Sequence, residues 1–170
     1  MYDYQGTDVN AAKGTSNYKT YGVLYNWEAA KSACPAGWHL PSLAGQLVLE
    51  NKLVDYLKNN GFGYGDKNNI GKSIASNTGW TSYAAEGTIG NDQTSNNKTG
   101  LSVLPGGFRY GNGTFNDLKN NAALWSSSQS EGLNSNSHAN SLVLYYASRE
   151  VIYHTTFKSV GMSVRCIKNE

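Results

Sequence analysis

The sequence has few charged residues, no basic cluster and no long apolar run. Only 15% of its 170 residues are charged, and 14 basic against 12 acidic residues leave a net charge of +2. No two basic residues are adjacent, which argues against nucleic acid and anionic membranes as partners. No apolar run approaches 18 residues, so direct membrane insertion is not expected. A signal segment is not present in the sequence.

Cysteine is equally scarce, since the chain has two, Cys34 and Cys166. If they pair, they close a loop over most of the chain and fit an oxidising compartment. Two buried free thiols are the alternative. The low charge, with abundant Gly, Asn, Ser and Tyr, is more typical of exported, loop-rich binding proteins than of cytosolic enzymes.

Two helices are predicted in the first third of the chain. Apolar residues recur at helical spacing over residues 26–33, with Asn26 as N-cap and Pro35 ending the helix. A longer periodic run predicts a helix over residues 43–59, with Ser42 as N-cap and a stop at 59–61.

Before and after these helices the pattern changes. Residues 1–20 are polar and predict an irregular arm, with a short strand near 18–23, while residues 21–170 form one domain. Residues 62–100 predict a long loop. From residue 101 onward short strands predominate, and 142–146 with 151–155 predicts a hairpin. Helices followed by an antiparallel sheet indicate an α+β fold.

Several motifs occur in an order that resembles one bacterial family. They are YGVLYNWEAAKSACPAGWHLPS, IGKSIASNTGW, GLSVLPGGFRYGNGTF, ALWSSS and GMSVRCI, over residues 21–167. The chain resembles the Fibrobacter succinogenes major paralogous domain, a family of bacterial surface and lipoprotein modules. The resemblance implies a C-type lectin-like or formylglycine-generating-enzyme-like fold, with two helices packed on a twisted antiparallel sheet.

The resemblance also bears on the cysteines and on the longer helix. In this fold a cysteine ending the first helix is often joined to one in the last strand, and Cys34 and Cys166 match those places. Gly45 and Gln46 stand where the family usually has an acidic residue and a tryptophan. Because that acidic residue would have closed a capping box on Ser42, we expect a weaker helix start. The four tryptophans are expected to fill the core.

The segment from WSSS to SVRC also resembles the variable segment of C-type lectin-like proteins that retroelements diversify. The resemblance implies fixed framework positions, which here are Trp125, Ser126, Ser127, Leu142, Leu144, Val151, Gly161, Ser163, Val164 and Arg165. Intervening exposed residues would contact ligand, namely Ser128, Gln129, Asn134, Asn136, His138, Asn140, Tyr145, Tyr146, Arg149, Tyr153 and His154. Tyr, Ser and Asn are also the residues that adaptable binding surfaces use.

No catalytic or metal-binding constellation is apparent in the sequence. There is no G-x-S-x-G motif, and the cysteines lack the close spacing of the catalytic pair in formylglycine-generating enzymes. His39, His138 and His154 have no second metal ligand three or four residues away. Asn91–Asp92 and Asn116–Asp117 offer oxygen ligands, but the Glu-Pro-Asn element of calcium-dependent lectins is absent. No cofactor is therefore predicted, and calcium is the alternative.

These observations predict a non-enzymatic, adhesin-like binding domain, extracellular or at the cell surface. Its C-terminal face would bind a protein or a glycan on another cell or within the same surface assembly. Two alternatives stay open: a module that displays or spaces other domains without a ligand of its own, and an enzyme of the formylglycine-generating type.

Overall fold

The protein has an α+β fold, as the sequence predicts, with one long helix and small antiparallel sheets. A computed structural model describes residues 3–60 and 70–169. The end of the predicted helix stop, Gly61, and the first part of the predicted loop, 62–69, lie outside these residues. The helices are α1 (Val9–Gly14), α2 (Ser16–Tyr21), α3 (Trp27–Ala30), α4 (Leu43–Asn59) and α5 (Ile70–Ile74). The strands are β1 (Trp38–His39), β2 (Phe108–Arg109), β3 (Phe115–Asn116), β4 (Asn121–Gln129), β5 (His138–Tyr145), β6 (Ile152–Phe157) and β7 (Ile167–Lys168).

Helix α4 has the bounds that its sequence predicts. The Ser42 hydroxyl accepts a hydrogen bond from the Gly45 amide at 3.0 Å, which confirms the N-cap. No carboxylate is available at Gly45 to close a capping box. Instead the hydroxyl of Ser128, in β4, accepts from the Leu43 amide at 2.9 Å. The sheet therefore satisfies an amide at the helix start that a purely local cap would leave free.

Helix α3 is shorter than predicted. Asn26 caps it as expected, with its side-chain oxygen accepting from the Ala29 amide at 2.9 Å. The helix itself ends at Ala30, the last α-helical hydrogen bond runs from the Lys31 amide to the Trp27 carbonyl, and Ser32 and Ala33 bond to carbonyls three residues earlier. This tighter turn leads the chain into Pro35, whose predecessor cannot stay helical.

The N-terminal segment corrects the predicted irregular arm. Residues 9–21 form α1 and α2, and no strand occurs at 18–23 in the described chain. Both helices have side-chain caps, because Asp8 accepts from the amides of Asn10 and Ala11, and Thr15 accepts from that of Tyr18. Local capping thus orders a segment whose polar composition indicated a loop. The division into an arm and a domain at residue 21 stays a prediction.

Strands β4, β5 and β6 form an antiparallel sheet in that order, and the predicted last hairpin is confirmed. Its register pairs Leu142 with Tyr153 and Val143 with Ile152. Because neighbouring residues of a strand face opposite sides, the sheet has a first face containing Leu142 and a second face containing Val143. Of the short strands predicted from residue 101 onward, the stretch 101–110 forms only β2 and bridges at Val103 and Gly107, and the stretch 161–167 forms only bridges at residues 161–163 and the first residue of β7.

Both faces of the sheet are covered by apolar clusters. On the first face, Leu142 and Leu144 pack with Val54 and Leu57 of α4. On the second face, a separate cluster contains Trp27, Trp125, Ala139, Val143, Val160 and Met162. Three tryptophans are buried as expected, but Trp38 is 45% exposed, because it lies in the two-residue strand β1 at the surface.

Cys34 and Cys166 form a disulfide, which settles the alternative of two free thiols. The bridge joins the end of the α3 turn to the last strand segment, 132 residues later. Beside it, β1 pairs with β7, placing Trp38 opposite Lys168. The two ends of the domain are therefore fastened together both covalently and by backbone hydrogen bonds. Disulfides of this kind are typical of oxidising, extracellular environments.

Candidate functional site

The structure places the eleven predicted contact residues in several separate surroundings. Five of them lie at one end of the sheet: Gln129, Asn134, Asn136, His138 and Asn140. The Asn140 side-chain amide donates to the Gln129 carbonyl at 3.2 Å. The His138 ring lies 4.0 Å from that of Phe157, which is 58% exposed and was not predicted as a contact. We call Gln129, His138, Asn140, Thr155 and Phe157 the sheet-end patch.

Tyr146 and Arg149 lie at the opposite end of the sheet, where they hold a loop. The Tyr146 ring meets Tyr83 edge-on at 5.5 Å, and the Tyr146 carbonyl accepts from the Gly90 amide at 2.7 Å. The Arg149 guanidinium donates to the Glu86 carbonyl at 3.1 Å. These contacts tie both residues to the loop, at the end of the sheet opposite the sheet-end patch.

Ser128 and Tyr153 are engaged on the first face. Ser128 caps α4, as described above. The Tyr153 hydroxyl donates to the Glu50 carboxylate of α4 at 2.6 Å, next to an apolar cavity of about 60 Å³. Burial, together with the Glu50 carboxylate, raises the pKa of Tyr153 well above its ordinary value. Both side chains are half-buried and hydrogen-bonded within the domain.

The last two predicted residues, Tyr145 and His154, line an open pocket on the second face. We call this the sheet pocket; its volume is about 170 Å³. Its floor is apolar and consists of Ala123, Val143, Val160 and Met162. Its polar and aromatic lining consists of Phe108, Tyr110, Asn121, Tyr145, His154 and Thr156. Strands β2, β4, β5 and β6 or their flanks therefore all contribute to it.

Asn121 is the unusual member of the sheet pocket. It is 2% exposed, and its side-chain oxygen has no hydrogen-bond partner among residues 3–60 and 70–169. A buried polar atom without a partner destabilises a fold by about 1–3 kcal/mol. No local signal marks Asn121 as a site residue, because asparagine is common in turns and a turn is expected to precede the strand there. Cross-strand pairing with Tyr145 places it on the second face.

Phe108 and Tyr110 were also missed as site residues. Their rings pack edge-to-face at 5.0 Å, and Tyr110 is exposed. They reach the pocket because Gly107 bridges to Ala122 of β4 and Arg109 bridges to Gly161. A long-range pairing of this kind leaves no local signal in the sequence.

The family model described as the Fibrobacter succinogenes major domain matches residues 1–168. The chain belongs to this family. The comparisons with curated proteins and with solved structures gave no match.

In this member of the Fibrobacter succinogenes major domain family, the framework positions at the centre of the sheet are buried. Trp125 and Ser126 of β4 and Leu144 of β5 are fully enclosed, and the Trp125 indole donates to the Tyr25 carbonyl at 2.8 Å. Arg165, another of the framework positions, is exposed.

A second feature that the sequence did not indicate is the buried cation Lys72. It is 2% exposed, and its ammonium donates to the carbonyls of Thr88 and Asp92 at 3.1 Å each and to the Asn96 side-chain oxygen at 2.7 Å. It also contacts the Asn91 carbonyl. Burial lowers the pKa of Lys72, which the Asp92 carboxylate opposes.

The oxygens that surround the Lys72 ammonium, here called the cage, bear on the alternative of bound calcium. At Asn91–Asp92, the backbone carbonyls are bonded to the Lys72 ammonium, and the Asp92 carboxylate accepts from the Thr94 hydroxyl at 2.7 Å. At Asn116–Asp117, the Asp117 carbonyl accepts from the amides of Asn120 and Asn121. Within the described residues no group of three or more His, Cys, Asp or Glu side chains is placed to hold a metal ion.

The three histidines have different surroundings. His39 is bonded through Nδ1 to the Asn169 side-chain oxygen at 2.6 Å. His138 belongs to the sheet-end patch and His154 to the sheet pocket. Across residues 3–60 and 70–169, none of the helices is both long and apolar enough to cross a bilayer.

Proposed function

We propose that this domain is an exported, non-enzymatic, adhesin-like binding module with a C-type lectin-like fold, located at the bacterial cell surface. It binds a protein or a glycan through its C-terminal sheet. The ligand site is the sheet pocket. It includes two of the residues predicted as contacts, Tyr145 and His154, together with Asn121, Phe108 and Tyr110. Tyr146, Arg149, Ser128 and Tyr153 are structural in this proposal.

The observation that carries the proposal is the combination of an open pocket with an unsatisfied buried oxygen. Pockets that bind ligands are mostly apolar, with a few polar groups that fix orientation. The sheet pocket has this composition, and Asn121 supplies an acceptor that nothing else in the described chain uses. The disulfide supports the non-enzymatic part, because it occupies both cysteines and leaves no thiol for chemistry of the formylglycine-generating type.

The test is a binding screen on arrays of defined glycans and purified surface proteins, followed by pocket variants. We expect Tyr145→Ala combined with His154→Ala to reduce binding of any hit at least tenfold. The matched control is His138→Ala combined with Asn140→Ala, which removes a histidine and one other polar side chain from the sheet-end patch.

The control also locates the site if the proposal is wrong. Binding that survives the pocket variant but is lost in the control variant would move the site to the sheet-end patch. A complete screen without a hit would instead favour the alternative of a display or spacer module.

A further inference from the structure

The size of the sheet pocket restricts its ligand to one ring-sized group. An apolar protein cavity on the order of 150 Å³ accepts benzene. The sheet pocket, at about 170 Å³, has room for one six-membered ring with small substituents. An extended peptide or a fused polycyclic compound would have to leave most of its atoms outside.

The charge of the pocket restricts the ligand further. Its lining contains no Lys, Arg, Asp or Glu among the described residues. A charged group placed there would lose its hydration without gaining an opposite charge, which is strongly unfavourable. The ligand group that fits is therefore neutral.

The hydrogen-bonding groups decide between two kinds of neutral ring. Asn121 contributes an oxygen that needs a donor, and Tyr110, Tyr145 and His154 contribute further polar atoms from three other strands or their flanks. A phenol or indole side chain has a single polar atom and could satisfy one of these groups. A sugar ring carries hydroxyls around its whole edge and could satisfy several.

The apolar floor is compatible with the same ligand. A pyranose presents C–H groups on its ring faces, which can contact Val143 and Met162, while its hydroxyls point to the sides. We infer that the sheet pocket binds a single neutral pyranose residue of a glycan, with the Asn121 side-chain oxygen accepting from a sugar hydroxyl. This inference rests on the proposed function and names the ligand class of its site.

The experiment measures binding of methyl glycosides of glucose, galactose and mannose to the whole chain, by ¹H–¹⁵N correlation spectra and calorimetry. p-Cresol is the competing probe, standing for a tyrosine side chain of a protein partner. For a ligand of this size we expect a Kd of about 1 mM for at least one glycoside. Shifts of amide signals should concentrate in β4, β5 and β6.

Variants of the chain sharpen the test. Asn121→Leu removes the acceptor and should weaken glycoside binding at least tenfold, whereas the control variant His138→Ala combined with Asn140→Ala, in the sheet-end patch, should retain binding. Loss of binding by misfolding is excluded by a thermal melt, in which the leucine variant should be no less stable than the native chain, because it removes an unsatisfied polar atom.

The outcomes separate this inference from the proposed function. Binding of p-cresol without any glycoside, or glycoside binding unaffected by Asn121→Leu, overturns the inference. If array hits still depend on Tyr145 and His154 in that case, the proposed function stands with another ligand. If neither glycosides nor array ligands bind, both fail.

Discussion

Replacing Cys34 and Cys166 together by serine should greatly destabilise the domain. The bridge closes a loop between residues 132 positions apart. In the chain-entropy model a loop of this length restricts the unfolded chain by about 5 kcal/mol at 25 °C. For a domain of this size, that free energy corresponds to a fall in Tm of roughly 10–20 °C. Most of the effect acts on the unfolded state, so the native contacts of both residues should change little.

The assay is thermal unfolding followed by circular dichroism, with and without a reductant. The native chain in reductant should melt near the double serine variant, and the variant itself should not respond to reductant. A thiol assay in denaturant comes first and should find no free thiol in the unreduced chain. The reasoning is refuted if the bridge is present by this assay and the double variant still melts within about 3 °C of the native chain.

Two further predictions concern buried polar groups. Lys72→Met leaves several oxygens around the ammonium without donors and should lower the free energy of unfolding, measured in urea, by at least about 3 kcal/mol. The control Lys98→Met, at an exposed position in the same segment, should change it by less than about 0.5 kcal/mol, and equal effects would contradict a stabilising role of the buried Lys72 ammonium. Because folding raises the pKa of Tyr153 above its ordinary value of 10.0, the stability that its hydroxyl contributes is fully present below about pH 10 and is lost as the pH rises further. Between about pH 8 and pH 11 the native chain should therefore lose more stability than Tyr153→Phe, and equal losses in the two chains would contradict this role of the hydroxyl.

The parts of the fold that the sequence predicts are those fixed by neighbouring residues. Helix α4 has its apolar period, its Ser42 cap and its stop within one stretch of chain, so its bounds were predicted correctly. The last hairpin was predicted for the same reason. Helices α1 and α2 were missed because their stability depends on the caps at Asp8 and Thr15 rather than on apolar periodicity.

The site was harder to predict because a strand alternates between two faces. Tyr145 and Tyr146 are adjacent in the sequence, yet the first lines the sheet pocket and the second packs on Tyr83 at the other side. A continuous segment of candidate contacts therefore cannot form one surface. Only the register selects among them, and only the bridges at Gly107 and Arg109 bring in Phe108 and Tyr110.

Asn121 combines an unpartnered buried oxygen with a place in the proposed ligand site. A leucine at this buried position would leave no oxygen without a hydrogen bond and should raise the free energy of unfolding by about 1–3 kcal/mol. The sheet itself does not require the asparagine, since the Asn121 backbone is held independently: its amide donates to the Asp117 carbonyl and its carbonyl accepts from the Gly107 amide. The side chain is therefore a local destabilisation that a bound hydroxyl would offset. Ligand binding should accordingly raise the Tm of the native chain but not that of Asn121→Leu, a difference that a purely structural asparagine would not produce.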